Sequence, residues 1–246
     1  MPNWCDNSIR LYNQDTVKID ELEKEMQKKN DEGRSMACPF QHLRPNPTGE
    51  WQYDWSVENW GTKWEADIID WDRNSDNELT IYCNTAWSPP IALYEYLTAE
   101  GWEVDAIYHE CGMAYAGQYS SDGGDDYYEY DISDKDSIDN LPSDVIDFAG
   151  LEDAHYEWME REREERLAEL PRTEWFDGSV KPARVGLYEI NTADRTWDHY
   201  ADWDGNDWGF NWDGEAIIPT RWRGLVEEFT EADAQAMLDD IIESSD

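Results

Sequence analysis

The sequence predicts an α+β protein: a ferredoxin-like βαββαβ domain with extra antiparallel strands, followed by a small β-rich C-terminal domain. Strand-like and helix-like segments alternate in the order βαββαβ over the first 110 residues, which is the split-βαβ arrangement. Beyond residue 180 the chain changes to short aromatic segments separated by turn residues, as small β-domains do. We therefore place a ferredoxin-like domain at 1–132, an acidic helical connector at 133–180 and a small β-rich domain with a C-terminal helix at 181–246.

The first strand, helix and loop are predicted within residues 3–58. Residues 3–12 alternate between apolar and polar side chains, as a half-buried strand does. Residues 13–16 offer capping side chains for a polar helix that begins at Val17. Residues 31–58 combine Gly, Pro and Asn with scattered aromatic side chains, so we expect a long loop or insertion there.

Two strands and a second helix follow. The strands are predicted near 62–72 and 78–84, joined by the turn residues 74–77. Ser88 precedes two prolines and offers a hydroxyl N-cap, and proline suits the first helical position because the N–H it lacks has no helical partner there. Gly101 predicts the end of this helix, since glycine adopts the left-handed conformation of a C-terminal cap.

Further strands, a charged helix and a second set of strands complete the prediction. Strands are predicted near 102–109, 113–120, 126–132, 184–190, 196–203 and 207–214. Residues 151–170 are rich in helix formers and end before Pro171, which predicts a helix with charged middle turns. A pattern resembling a capping box at Thr230 predicts a C-terminal helix.

The charge of the chain limits its partners. It carries 58 Asp and Glu against 19 Lys and Arg, a formal net charge of −39, and no Lys or Arg occurs between Arg73 and Lys135. Binding to nucleic acid or anionic lipid through a basic patch is excluded, because Lys and Arg supply that attraction. We expect a basic macromolecular partner. The alternative is that the acidity serves solubility alone.

The N-terminal residues and the cysteines indicate the compartment. The first ten residues lack the basic and apolar regions of a signal peptide, and no stretch approaches the ~18 apolar residues of a membrane helix. We expect a cytoplasmic protein of a bacterial host cell. The cysteines are scattered, and we expect them to be buried small hydrophobes rather than zinc ligands. They are Cys5, Cys38, Cys83 and Cys111.

Several motifs of the first half resemble one family. They are Met1-Pro2-Asn3-Trp4-Cys5-Asp6-Asn7, Asn59-Trp60-Gly61-Thr62-Lys63-Trp64, Thr85-Ala86-Trp87-Ser88-Pro89-Pro90, Tyr108-His109-Glu110-Cys111-Gly112 and Tyr115-Ala116-Gly117. In this order they resemble the phage- and plasmid-borne proteins with a YubB-type ferredoxin-like domain, over roughly residues 1–125. The resemblance implies the ferredoxin-like fold and an origin in a phage or mobile element. The motif residues singled out are Asn3, Trp4, Asn59, Trp60, Lys63, Trp64, Trp87, Ser88 and Glu110.

The same residues have a structural interpretation. The tryptophans are large enough to act as packing anchors of a small core, and they are alternatively the walls of a pocket. Lys63 is expected to form a salt bridge or a cation–π contact. In the C-terminal part, the motifs Leu187-Tyr188-Glu189, Trp203-Asp204-Gly205 and Trp222-Arg223-Gly224-Leu225 resemble a small β-rich module of phage proteins.

No motif for nucleophilic catalysis, metal-dependent hydrolysis or phosphate binding is present, so we expect no enzyme, no cofactor and no metal. His109 and Glu110 are adjacent, which places them on opposite faces of a strand and argues against a joint acid–base role. One calcium-loop spacing occurs, but Asp207 stands where that loop needs glycine, so we interpret the segment as a hairpin. The spacing is formed by Asp202, Asp204, Asn206 and Asp213.

Two rows of carboxylates are candidate contacts for a basic partner. One row shares a strand face, and the other recurs at helical spacing over 151–170. The candidate contacts are Asp125, Glu129, Asp131, Asp153, Glu157, Glu160 and Glu164.

The hypothesis is an acidic phage or mobile-element accessory protein that binds a basic surface of a host nucleic-acid-handling protein, as a DNA-mimic inhibitor of a restriction or CRISPR-type defence system does. One alternative is a partner-binding module that uses the tryptophan-rich motifs, with acidity only for solubility. Another is an enzyme on the ferredoxin-like domain, with a pocket near Trp60, Lys63 and Glu110.

Overall fold

The computed structural model describes residues 3–193, 199–209, 216–226 and 231–243. Contacts divide the chain into two units, Met1–Trp158 and Met159–Asp246, whereas we drew boundaries after residues 132 and 180. The chain combines helices with two antiparallel sheets, which confirms the predicted α+β class. No helix within these ranges is long and apolar enough to cross a membrane.

The first unit follows the predicted element order and adds to it. Its strands are β1 (Trp4–Tyr12), β2 (Asp67–Ser75), β3 (Glu78–Ala86), β4 (Glu103–Glu110), β5 (Tyr115–Ser120) and β6 (Gly124–Glu129). Its helices are α1 (Thr16–Met26), α2 (Pro39–Leu43), α3 (Tyr53–Trp60), α4 (Ile91–Ala99), α5 (Lys135–Asp139) and α6 (Ser143–Ala149), and α7 (Leu151–Glu169) crosses the division. The strands form one antiparallel sheet in the order β2-β3-β1-β4-β5-β6.

The main core lies on one face of this sheet. Along β1, Cys5, Asn7, Ile9 and Leu11 are buried, because successive side chains of a strand point to opposite faces. Helices α1 and α4 contribute Ile19, Leu22, Met26, Leu93 and Leu97 to the same core. The other face of β1 therefore carries the intervening polar residues.

The predicted loop at 31–58 is replaced in part by the two short helices α2 and α3. Phe40 in α2 and Trp60 in α3 are buried, and their ring centroids lie 5.9 Å apart in an edge-on arrangement. Helices this short are not stable by propensity alone, so the aromatic contact with the core stabilises them. The loop prediction was wrong there because tertiary packing outweighs local composition.

The ends of two other elements also differ from the prediction. Strand β2 begins at Asp67, five residues after the predicted start. Ser88 does not cap α4: its hydroxyl donates to the Gly61 carbonyl at 2.7 Å, and Pro90 occupies the N-cap position. Gly101 follows α4 with φ +83°, the left-handed conformation predicted for it.

Helices α5 and α6 pack on the face of the sheet opposite the main core. Ile138, Leu141 and Leu151 form a second cluster with Tyr128 and Tyr130 at one end of that face. The first part of the predicted connector at 133–180 is therefore folded onto the sheet, because it carries its own apolar side chains.

The second unit contains a sheet in the order β7-β10-β8-β9. Its elements are β7 (Phe176–Asp177), β8 (Gly186–Thr192), β9 (His199–Trp203), β10 (Pro219–Arg223) and α8 (Glu231–Glu243). The predicted strand at 207–214 contributes only a bridge from Trp208 to Trp203, and its residues 210–214 lie outside the described ranges. Thr230, the predicted cap of the last helix, also lies outside them.

Candidate functional site

The sheet face opposite the main core, hereafter the acidic face, carries a concentration of carboxylates. Strand register defines its members: Asp6 on β1 lies opposite Asn84 and His109, and Asp67 on β2 also lies opposite Asn84. Cross-strand partners share a face, so the register extends the set over the sheet. Its carboxylates are Asp6, Asp67, Asp70, Asp72, Glu78, Glu103, Asp105 and Asp126.

Seven of these carboxylates are exposed, and Glu78 is half-buried. Arg10 is the one cationic side chain that the six described strands place on this face, and it forms ion pairs with Asp105 and with Glu78, the latter at 3.7 Å. Arg73, the other cation of these strands, lies opposite Leu79 and therefore faces the main core. The acidic face thus keeps a large excess of negative charge.

A groove of about 540 Å³ runs over the middle of the acidic face. Its floor is formed by side chains such as Ser8, Tyr82 and Gln118, and Asp144 of α6 stands at its wall. Hydroxyl and amide groups on the floor accept or donate hydrogen bonds, and the charged rim is acidic except for the paired Arg10. This arrangement suits an extended or loop-shaped group that carries Lys or Arg side chains.

The predicted row on β6 lies on the other face of the sheet. Asp125 and Glu129 share that face with Tyr127, as the period of two predicts. The Tyr108 side chain passes over Gly117, and its hydroxyl donates to the Asp125 carboxylate at 2.7 Å. Burial raises the pKa of Asp125, although its side chain stays largely exposed. Asp125 is therefore held in place while remaining open to a partner.

Asp131 does not belong to that row, because β6 ends at Glu129. Its carboxylate accepts hydrogen bonds from the Ser133 amide at 2.9 Å and the Ser133 hydroxyl at 2.7 Å. Those bonds lower the pKa of Asp131 and build the turn that precedes α5. The predicted strand to residue 132 was wrong at this end, since the local side-chain bonds favour a turn.

The predicted helical row lies on α7, on the side opposite its buried residues. At about 100° per residue, the row is turned away from Leu151 and His155. The row consists of Asp153 and Glu157 in the first unit and Glu160 and Glu164 in the second. A Glu160 carboxylate oxygen lies 3.3 Å from an Arg163 guanidinium nitrogen, so one of these four charges is already paired.

The tryptophan motifs divide into a buried and an exposed set. Trp60 is buried, and its indole N–H donates to the Arg44 carbonyl at 3.0 Å, as expected of a packing anchor. Trp4 and Trp64 have ring centroids 6.3 Å apart, and the Lys63 ammonium lies 4.4 Å from the Trp64 ring centroid in a cation–π contact.

Trp87 is the most unusual member of the motifs. Its side chain is 47% exposed, and its φ of +72° lies in the left-handed region, which costs energy for a large residue. Backbone bonds hold it: its amide donates to the Asn3 carbonyl, and its carbonyl accepts the Tyr115 hydroxyl at 2.7 Å.

Asn59 and Glu110 have structural contacts. The Asn59 side-chain amide donates to the Trp55 carbonyl at 2.9 Å. Glu110 is buried, and its carboxylate accepts the amides of Gly112 and Met113 at 2.8 Å each, closing the turn between β4 and β5. His109 instead contacts the Tyr130 hydroxyl at 2.7 Å. The two neighbours thus have separate partners.

The described residues contain no group of three or more His, Cys, Asp or Glu side chains arranged to hold a metal ion. In the calcium-loop spacing, the Asp204 carboxylate accepts the amides of Asn206 and Asp207 in a turn, and Asp213 lies outside the described ranges. Cys38 and Cys111 are exposed, which corrects the expectation that all four cysteines are buried.

The thiols give a direct test of the core. Cys5 and Cys83 are buried, and burial raises the pKa of Cys5 to about 12. The thiolate is the reactive form, so we expect only Cys38 and Cys111 to react with Ellman's reagent in the folded protein, and all four in urea. Rapid reaction of a third thiol without denaturant would contradict the described core.

Comparisons with known proteins identify no family for the chain. No family model matches it, and no curated protein matches it. A crystal structure of the protein api92 from Yersinia pseudotuberculosis, of the family DUF1281, aligns with a TM-score of 0.35 and 12% identity. The alignment covers 53% of this chain and 99% of that chain.

The acidic face was not predicted from the sequence. The signal that was present is the alternation of Asp6, Ser8 and Arg10 with buried residues along a strand that we did predict. The aspartates of β2 were not accessible in this way, because a bulge decides which face they occupy.

Proposed function

We propose that this chain is an acidic accessory protein that binds a basic surface of a nucleic-acid-handling host protein, with the acidic face as its main contact. The observation that carries the proposal is the set of seven exposed carboxylates on one sheet face whose single guanidinium is already paired. Exposed charges of one sign attract an oppositely charged surface and speed its association.

The charge density of the face supports mimicry of a nucleic acid. The distance from β2 to β6 spans five strand spacings, or about 24 Å. Duplex DNA presents about 14 phosphate charges over such a length of its axis. The eight carboxylates of the acidic face give more than half that number. A protein that binds phosphates through Lys and Arg would meet a comparable field here.

We propose further that the chain comes from a phage or mobile element, contains a YubB-type ferredoxin-like domain and acts in the bacterial cytoplasm. The motif resemblance and the sheet order β2-β3-β1-β4 support a YubB-type ferredoxin-like domain from a phage or mobile element. A target such as a restriction or CRISPR-type effector implies action in the bacterial cytoplasm by stoichiometric inhibition, without catalysis. Trp60, Lys63 and Glu110, named above for the alternative of an enzyme, each have a contact of a structural kind.

The test is a tagged pull-down from bacterial lysate at about 0.05 M and about 0.5 M salt, with and without added duplex DNA. We expect capture of a DNA- or RNA-binding protein at low salt that is released by salt and by DNA, because exposed charges are screened over a few ångströms at high ionic strength. A captured partner that is indifferent to both salt and DNA would contradict the proposal.

A second candidate function is favoured by the exposed tryptophans. Trp4 and Trp87 are 41% and 47% exposed, and Trp4 lies opposite Ala86, the residue before Trp87. Strained backbone positions such as that of Trp87 cluster at functional sites, and tryptophan is enriched among the residues that dominate binding energy. We expect a partner bound there to be retained at high salt. We expect Trp87→Ala to weaken its binding by more than tenfold, as for a central aromatic contact.

A further inference from the structure

A small pocket lies beside helices α2 and α3, and it shares no residue with the groove on the acidic face. Its volume is about 190 Å³, below the roughly 300–1,000 Å³ of pockets for drug-sized ligands. Trp51, Trp60, Ser56 and Glu65 line it. The size fits one side-chain-sized group rather than a cofactor.

Ser56 is the first indication that this pocket takes a ligand. Its side chain is 1% exposed, and its Oγ has no hydrogen-bond partner among the described residues. A buried hydroxyl without a partner costs about 1–3 kcal/mol, so native proteins rarely keep one. A ligand with an N–H donor would satisfy this oxygen.

Glu65 is the second indication. Its Oε1 accepts the Phe40 and Ala66 amides at 2.8 and 3.1 Å, and within the described part of the chain its Oε2 accepts only the Gln41 amide, at 2.8 Å. A carboxylate oxygen has two acceptor sites, so Oε2 retains one. Burial raises the pKa of Glu65 to about 7, and a cation beside it would stabilise the ionised form.

The other walls indicate the chemistry of the ligand. The charged residues that line the pocket, Glu50 and Glu65, are both acidic. Two indoles also line the pocket, beside the uncharged Gln41, Asn46 and Gly49. Trp60 is buried, and Trp51 is 57% exposed, with its N–H donating to the Lys63 carbonyl at 2.9 Å. Indole faces attract cations, and guanidinium groups also stack on them.

We propose that this pocket binds the guanidinium of an arginine side chain from a polypeptide partner, with Glu65 as the ion-pair acceptor, Ser56 Oγ as a second acceptor and the two indoles as walls. A planar group with five N–H donors serves both acceptors at once, whereas a lysine ammonium is a compact point charge. A polypeptide source is favoured over free arginine, because a volume of about 190 Å³ fits the side chain and leaves the backbone of the ligand outside the pocket.

The test is an NMR titration of the ¹⁵N-labelled full chain, read at the Trp51 indole N–H, which Trp51→Phe assigns. The probes are Nα-acetyl-arginine amide, Nα-acetyl-citrulline amide, Nα-acetyl-lysine amide and free arginine. We expect a saturable shift of the Trp51 indole signal with the capped arginine, at millimolar affinity. The lysine and free-arginine probes should bind more weakly. The citrulline probe, which has the same shape without the charge, should not bind. Equal binding of citrulline, or tighter binding of lysine or free arginine, would overturn the assignment.

Two variants locate the ligand. Ser56→Ala is expected to weaken binding about fivefold, the value of one hydrogen bond, and to fold at least as stably because it removes an unpaired hydroxyl. Glu65→Gln is expected to weaken binding more than tenfold, since hydrogen bonds to charged groups are stronger. Glu21→Gln, an exposed change on α1, is the control and should bind as the parent does. Unchanged affinity in both pocket variants would refute the proposal.

Discussion

Replacement of Gly117 by alanine is expected to destabilise the first unit by about 3 kcal/mol. A Cβ at this position would lie 2.3 Å from the Tyr108 hydroxyl oxygen and 2.5 Å from the Asp126 backbone carbonyl oxygen. Tyr108 is fully buried and its ring cannot shift without disturbing the core, and the carbonyl belongs to a paired strand. The substitution also displaces Tyr108 from Asp125, a candidate partner contact.

Urea unfolding measures this effect, with Gly123→Ala as the matched control. A Cβ on Gly123 meets only the hydroxyl of Ser120, a small side chain at the last residue of β5. We expect the control to change the unfolding free energy by less than about 1 kcal/mol, as surface substitutions do. If both variants were equally stable, Tyr108 would not cross Gly117 as described.

Neutralising the aspartates of β2 is expected to weaken binding to a basic probe about tenfold. The variant is Asp67→Asn, Asp70→Asn and Asp72→Asn, three exposed residues of the acidic face. Each exposed ion pair contributes about 0.5 kcal/mol, and three of them amount to about 1.5 kcal/mol, or a factor of about ten. Fluorescence anisotropy with a labelled octa-arginine peptide measures the affinity at fixed salt.

The control removes the same charge elsewhere on the first unit. Glu21→Gln, Glu58→Gln and Glu100→Gln change three exposed residues that lie outside the acidic face. We expect this control to lose less than about twofold in affinity, because its charges lie beyond the contact. Equal losses in the two variants would show that the probe responds to net charge alone. The association state of both variants should also be measured by sedimentation, because charges on the edge strand β2 prevent edge-to-edge pairing of sheets.

Elements whose own sequence contains their signals were predictable. The alternation in β1, the two prolines before α4 and Gly101 after it each act within a few residues, and the structure places these elements where they indicate. The short helices α2 and α3 depend instead on contacts of Phe40 and Trp60 with residues far along the chain. Local composition does not contain that information.

The acidic face could not be predicted from the sequence for a different reason. Asp67 and Asp70 are three residues apart, which puts them on opposite faces of a regular strand. A bulge between Ile68 and Asp70 shifts the register by one residue, so Asp67, Asp70 and Asp72 share a face. In a chain with 58 acidic residues, only the register separates this cluster from chance. Likewise, no sequence signal indicates that the Ser56 hydroxyl lacks a hydrogen-bond partner among the described residues.

Carbodiimide cross-linking of the chain to its captured partner tests the central claim most directly, because the reagent joins carboxylates to lysine amines in contact. We expect mass spectrometry to place the cross-links on residues of the acidic face, chiefly Asp6, Asp70 and Asp126, and duplex DNA to suppress them. Cross-links spread evenly over the exposed carboxylates, or unaffected by DNA, would contradict the proposal that this face binds a nucleic-acid-handling surface.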